Sequence, residues 1–346
     1  MFPTDFINSY SNMPKVSIIM PAYNAAKYIG NAIESIVNQT FKDWELIIVD
    51  DCSADNTVNI IKEYSNRHNN IRLIKRNYNS GGARLPRKEA AYAAEGELIM
   101  TFDADDFLDR DYIEKMHNRK VATSSDITLG TLYFCNDKGE TKDYVIPARD
   151  FDTNRVLSGV EATRLLLGRV EISVNGLLVD KDIYIKNISS TNEQYDNLPY
   201  VDEIDQRNLL INCNKVSFTD ARYYYRQHSE SLMHLNDTRR YNILTTLEAI
   251  YQFAKSNYSD RAVFDKLDND FITNLLYCYR DYYLKKHYKS TNSANIENIL
   301  KNAYDFYRKE NMRSTGIKQK LCMNTFCTLK FVSYLYGTYL RIKKYK

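Results

Sequence analysis

The stretch that decides the fold is LIMTFDADDFLD, residues 98–109. An apolar run stops abruptly, and Asp103, Asp105, Asp106 and Asp109 follow within seven positions. Carboxylates that close repel one another, so they either cap the next helix or face something positive. Three more apolar runs lie upstream: VSIIM (16–20), ELIIV (45–49) and IRLIK (71–75). The first, second and fourth runs are nearly continuous in apolar residues, as parallel strands covered on both faces should be.

The segments between the runs have helical spacing. Ile29, Ile33, Ile36 and Val37 make one apolar stripe, with Asn24 as the expected cap. Ser53 and Asp55 are candidate caps for a second helix that turns Val58, Ile61 and Tyr64 inward. RKEAAYAAEG (87–96) predicts a third helix, closed by Gly96. Strands alternating with helices predict right-handed crossovers and an α/β, doubly wound, mostly parallel sheet. Ligands of such sheets bind outside the carboxyl ends of the strands. Those ends carry PAYN (21–24), Asp50–Asp51, RNYNSGGAR (76–84) and DADD (103–106).

The remainder of the chain narrows the function. Its 346 residues carry a net charge of +3, which gives no support for a nucleic-acid partner. The N-terminus lacks an apolar targeting core, so no signal peptide is expected. The six cysteines, at 52, 135, 213, 278, 322 and 327, do not pair at zinc-ligand spacing. They read as reduced thiols, and the expected location is the cytoplasm. VDEIDQRNLLINC (201–213) predicts a helix with acids in its first turn, and KVSFTDARYYYRQHSESLM (215–233) a strand followed by a polar loop. From residue 236 the pattern is helical. The tail 312–346 holds eight Lys and Arg and no Asp or Glu. It suits an amphipathic helix lying peripherally on the inner face of a membrane, or equally a helix docked on the catalytic domain. Asn324 and Lys330 argue against a membrane span. The expected division is 1–235, with halves 14–110 and 111–235, and a helical region 236–346.

Several ordered motifs together resemble the inverting family 2 nucleotide-sugar glycosyltransferases with the GT-A fold. They run from VSIIMPAYN through ELIIVDDCSADNT and NSGGARLPRKEAA to TFDADD, and return in VDEIDQRNLL and YYYRQHSESL. The resemblance implies that Pro21, Tyr23 and Asn24 form the loop under the nucleotide base, with Tyr23 stacking on it. It implies that Asp50 and Asp51 are the acidic pair after the second strand, Asp50 reading the base edge. Arg87 falls near the diphosphate, although Pro86 and Lys88 replace the Ala and Asn usual beside it. Asp103, Ala104 and Asp105 match the DxD motif at the sugar nucleotide. Asp103 and Asp105 would hold Mn²⁺ or Mg²⁺, with Asp105 the principal ligand and His228 an additional metal or phosphate ligand. Asp202 and Glu203 match the catalytic acidic pair, with Glu203 the base. The implied partners are a UDP-sugar donor and a glycan or lipid-linked saccharide acceptor in cell-surface polysaccharide synthesis.

The chemistry needs these residue types. A departing nucleotide diphosphate develops charge that a hard cation held by oxygen ligands can neutralise. An attacking hydroxyl must lose its proton, and a placed carboxylate contributes about 10²–10⁴-fold. Plainer readings stand beside each assignment. Asp50–Asp51 also suit a turn and cap, Arg87 a solvated helix, and His228 a local hydrogen bond. Acids at a helix start also serve its dipole, so Glu193, Asp202 and Asp205 rival Glu203. Two other functions compete: a nucleotide-sugar-binding module with impaired catalysis, and a sugar-phosphate nucleotidyltransferase. The latter should open with a Gly-rich basic loop, whereas this chain has PAYNAAKYIG (21–30).

Overall fold

The computed structural model describes residues 13–167, 172–190, 202–227, 238–285 and 287–313. The chain divides into two units, the first Met1–Leu166, Val170–Asn197 and Asp205–Ser229, the second Leu167–Arg169, Leu198–Ile204 and Glu230–Lys346.

The first unit opens with the expected alternation: β1 (Val16–Ala22), α1 (Ile29–Val37), β2 (Trp44–Asp50), α2 (Thr57–Arg67), β3 (Ile71–Lys75), α3 (Arg84–Ala93) and β4 (Leu98–Thr101). There follow β5 (Phe107–Leu108), α4 (Tyr112–Thr123), β6 (Ile127–Cys135), β7 (Thr141–Ile146), β8 (Val156–Leu157), α5 (Gly159–Leu166), β9 (Leu178–Asp180) and α6 (Lys181–Ser190). Helix α7 (Asp202–Ile211) and β10 (Val216–Arg226) complete the unit, whose share of α7 begins at Asp205. One sheet runs in the order β3-β2-β1-β4-β9-β6-β10-β5. The four strands read from the sequence are mutually parallel, in the order β3-β2-β1-β4. Short β9 runs antiparallel between β4 and β6, and β6 then pairs parallel with β10.

Alternation along the strands sorts side chains between two cores. Val16, Ile18 and Met20 of β1 and Leu46 and Ile48 of β2 join α1, α2 and α4 in one. Ile19, Ile47 and Val49 join α3, α5, α6 and α7 in the other. This two-sided burial is why the strands read as unbroken apolar runs.

Three local expectations are corrected. Asn24 does not cap α1, which begins at Ile29 after Tyr28. Its backbone has φ +48°, and its Oδ1 instead accepts from the Ala54 N–H at 2.8 Å. Asp55 and Ser53 lie ahead of the true N-cap of α2, Asn56. Ser53 Oγ accepts from the Asn24 N–H at 2.9 Å and Asp55 Oδ2 from the Ala26 N–H at 3.0 Å, which ties two loops together, while Asp55 Oδ1 still takes the first N–H of α2, that of Thr57, at 3.0 Å. Gly96 is not the end of α3, whose C-cap is Ala94. A Cβ at Gly96 would stand 2.7 Å from Ser17 Oγ, so this glycine lets the chain pass against β1.

In the second unit the described residues are helical, as the periodicity from residue 236 predicts. Helices α8 (Ile243–Asn257), α9 (Arg261–Leu284) and α10 (Ser293–Lys309) bury Leu247, Phe271, Leu275, Tyr279 and Leu300. Asp268, fully buried in α9, accepts from Tyr251, Arg261 and the Arg313 N–H at 3.1, 2.5 and 2.8 Å. Among the described residues no helix is long and apolar enough to cross a membrane. The tail from residue 314 lies outside the described residues.

Candidate functional site

The carboxyl ends of β2, β1 and β4 lie side by side, and Pro21, Tyr23, Asn24, Asp50, Asp51, Asp103, Ala104 and Asp105 lie at or just after them. Ala22 at the end of β1 is in register with Asp50 at the end of β2. Pro21 and Ala22 are buried, and the chain then turns out so that Tyr23 stands 53% exposed beside Asn24. The Asp50 carboxylate is fully buried. Its Oδ2 accepts from the Ser53 N–H at 3.2 Å, whereas its Oδ1 is buried with no hydrogen-bond partner. A dry carboxylate oxygen is costly, and such an atom marks a place where a ligand donor fits.

Asp51 behaves differently from its neighbour. Its oxygens take Arg76 Nη1 at 2.9 Å and both the backbone N–H and the hydroxyl of Ser80 at 2.9 and 2.8 Å. Arg76 also reaches Glu89 at 3.2 Å and stacks over Tyr78 at 4.8 Å. Asp51 therefore anchors the loop between β3 and α3. Gly81, at φ +83°, supplies the left-handed turn within that loop.

Helix α3 presents two arginines. Arg84 is buried and donates to Asp205 of α7 at 2.8 Å. Arg87 Nη2 donates to Asp103 Oδ1 at 2.5 Å. The unusual Pro86 falls in the first turn, where backbone N–H groups have no intrahelical acceptor, so it costs the helix no hydrogen bond. Tyr184 of α6 is buried close to Arg87, Asp205 and Asp103, and burial pushes its hydroxyl up to about 12.

The aspartate run leaves the sheet after Thr101. Phe102, Ala104 and Asp106 are buried, whereas Asp103 and Asp105 are half-buried. The two residues of the motif thus share the more open side. Asp106 is the one carboxyl of the run with no exposure. Burial pushes it well above the usual carboxylate range, and the charges of Asp105 and Asp103 add to the effect. Its Oδ2 accepts from the Tyr223 hydroxyl at 2.6 Å and its Oδ1 from the Arg226 N–H at 2.8 Å.

Asp103 and Asp105 are hard oxygen donors at alternate positions, a set that suits Mg²⁺ or Mn²⁺ completed by phosphate oxygens. Among the described residues no group of three His, Cys, Asp or Glu side chains gathers around one point. Asp202 opens α7 half-buried. The Glu203 side chain and His228 lie outside the described residues, as does Glu193.

Sequence reading missed Asp106, Tyr223 and Arg226 as members of this site. The signal available was the alternation over Asp220–Tyr223 of β10, which marks Ala221 and Tyr223 as inward; nothing in it marks the buried Arg226.

A family model described as "Glycosyl transferase family 2" matches residues 17–169. Residues 17–169 belong to glycosyl transferase family 2. This domain holds every described member of the site up to Asp106. A poly(ribitol-phosphate) beta-glucosyltransferase of Bacillus spizizenii is 32% identical over 214 residues, 61% of this chain and 32% of that protein. The poly(ribitol-phosphate) beta-N-acetylglucosaminyltransferase TarS of Staphylococcus aureus is 29% identical over 62% of this chain and 35% of its own length. The chain thus spans about a third of the length of these curated relatives. The crystal structure of S. aureus TarS 1–349 in complex with UDP-GlcNAc superposes with a TM-score of 0.65 at 18% identity, covering 95% of this chain and 92% of that one. A mannosyltransferase from Pyrobaculum calidifontis in complex with GDP-Man and Mn²⁺ matches with a TM-score of 0.50 at 13% identity. The fold is GT-A.

Proposed function

We propose that the protein transfers a sugar from a UDP-sugar to a hydroxyl of a glycan or lipid-linked saccharide, with inversion, in the making of a cell-surface polysaccharide. One observation carries this reading. The carboxyl ends of three adjacent parallel strands hold a buried carboxylate with an unsatisfied oxygen, an exposed tyrosine and a half-buried aspartate pair beside an arginine. Asp50 Oδ1 asks for a donor, which an N–H on the edge of uracil supplies, while Tyr23 offers its ring face. Support for UDP comes from TarS, whose crystal structures hold UDP-GlcNAc and UDP.

Arg87 then lies where a diphosphate follows the base, and Asp103 and Asp105 would hold Mn²⁺ or Mg²⁺. That cation, when bound, supplies positive charge for the departing diphosphate. The acceptor oxygen attacks the anomeric carbon as the bond from that carbon to the phosphate oxygen breaks. Glu203 takes the acceptor's proton, and the nucleoside diphosphate leaves. A single displacement of this kind inverts the anomeric centre.

The reading places the enzyme in the cytoplasm, with the basic tail 312–346 in peripheral contact with the inner leaflet. Liposome sedimentation with and without that tail tests the contact, and equal pelleting of both forms removes it from the proposal. The catalytic reading is tested by UDP release from a panel of UDP-sugars with Mn²⁺ and a polyol-phosphate or glycan acceptor. Turnover that Asp105→Ala abolishes supports it. UDP binding without turnover for any sugar indicates a binding module instead.

A further inference from the structure

We propose that Tyr223 and Arg226 of β10 are positioning residues for Asp103 and Asp105, a role that rests on the sugar-transfer reading above. Between the end of β4 at Thr101 and the start of β5 at Phe107, no strand ladder holds the chain. The Phe102 N–H still reaches Ile19 at 3.1 Å, and the Asp106 N–H turns back to Asp103 at 3.3 Å. Beyond these, the register of the aspartates is set by β10.

The connection is a closed circuit of hydrogen bonds. The Asp103 N–H donates to the Tyr223 hydroxyl at 3.3 Å, and that hydroxyl donates to Asp106 Oδ2 at 2.6 Å. Asp106 Oδ1 accepts the Arg226 N–H at 2.8 Å, and Arg226 Nε donates to the Asp105 carbonyl at 2.9 Å. Both residues that would carry the cation are thus gripped by their backbones, while the Asp103 carboxylate also holds Arg87.

Each grip is itself made rigid. The Tyr223 ring is buried, edge-on to Phe102 and Tyr112 at 5.7 and 6.2 Å. A Cβ on Gly176, which sits at φ +68°, would come within 2.4 Å of that ring, so glycine is what lets the tyrosine fit. The Arg226 guanidinium lies over the rings of Tyr28 and Phe107, at 5.2 and 5.1 Å, and its Nη1 donates to the Asp137 carbonyl at 2.8 Å. The Asp137 carboxylate in turn accepts from Tyr28 and pairs with Lys27 at 2.8 Å. Arg226 therefore ties the aspartate segment to the loop that follows Tyr23 and Asn24.

The test compares UDP affinity by calorimetry with and without Mn²⁺, and donor kcat and KM, in Tyr223→Phe, Arg226→Lys and the control Asp105→Ala. Tyr223→Phe deletes only the bridging oxygen. Arg226→Lys keeps the charge and loses the directed Nε–H. The proposal expects metal-free UDP affinity to stay at the wild-type value in both. It expects the Mn²⁺-dependent gain in affinity and kcat each to fall about tenfold or more, as small misplacements of reacting groups do. Wild-type Mn²⁺ dependence in both variants overturns it. So does an equal loss of metal-free and metal-dependent affinity, or a collapse of the melting temperature in Tyr223→Phe, which would make the hydroxyl a plain structural group. If instead Asp105→Ala retains the Mn²⁺-dependent gain, the donor-site reading itself is wrong.

Discussion

Arg87 and Asp103 share a charge-assisted hydrogen bond, Nη2 to Oδ1 at 2.5 Å, across the gap between α3 and the end of β4. This arginine offsets one charge of a crowded aspartate run. A diphosphate arriving at the same place would compete for it. Arg87→Gln is expected to weaken UDP binding by about 1.5–3 kcal/mol, the worth of a hydrogen bond to a charged group. Uridine, which lacks phosphate, should bind as before. Calorimetry with the two ligands checks the split.

Asp50 and Asp51 are adjacent, yet they should respond in opposite ways. Asp51 neutralises buried Arg76, so Asp51→Ala is expected to cost about 3–5 kcal/mol of folding stability, read as a lower urea midpoint. Asp50→Ala removes a carboxylate that has one oxygen unsatisfied. It should leave the midpoint within about 1 kcal/mol of the wild type, or raise it, while UDP affinity falls.

Glu203→Gln is expected to cut turnover by about 10²–10⁴-fold with UDP affinity kept, as loss of a general base does. Its neighbour Asp205 makes an ion pair with the buried Arg84 at 2.8 Å. Asp205→Ala should therefore act chiefly on stability, at about 1.5–3 kcal/mol, because it removes a charged hydrogen-bond partner of a buried guanidinium. Parallel rate and denaturation measurements on the two variants assign the base.

Glu248 of α8 is half-buried, and burial pushes its carboxyl up to about 7. A raised carboxyl favours the folded form fully below its unfolded pKa. That advantage drains away as pH climbs through the folded value, over roughly pH 4.5 to 7. Glu248→Gln should match the wild type near pH 4 and exceed it at pH 8. The expected gain is about 1–2 kcal/mol once partial solvation is discounted. Guanidinium titrations at both pH values check it.

The half of the sheet that holds β1 to β4 was legible because its strands are buried on both faces and spell continuous apolar runs. Beyond residue 110 the pattern fails for a physical reason. Strands β5, β8 and β9 are two or three residues long, too short to show a period. Helix caps were misplaced where tertiary contacts outbid local ones, as when Asn24 bonds across to Ala54 instead of starting α1. The motif residues could be named from their resemblance to a known family's motifs. That Asp106 lies dry while Asp103 and Asp105 face outward could not, since all three are chemically alike in the sequence. Only the fold separates them, through Tyr223 and Arg226.

The clasp on the aspartates comes from 117 to 121 residues farther along the chain. A ribosome that has released residues 16–110 has delivered the loop after β1, Arg87 and the whole aspartate run. The contacts that hold that run in place cannot exist until β10 emerges. A nascent or truncated chain can thus carry the complete motif and still be unready, so competence arrives only once the second half of the sheet has closed.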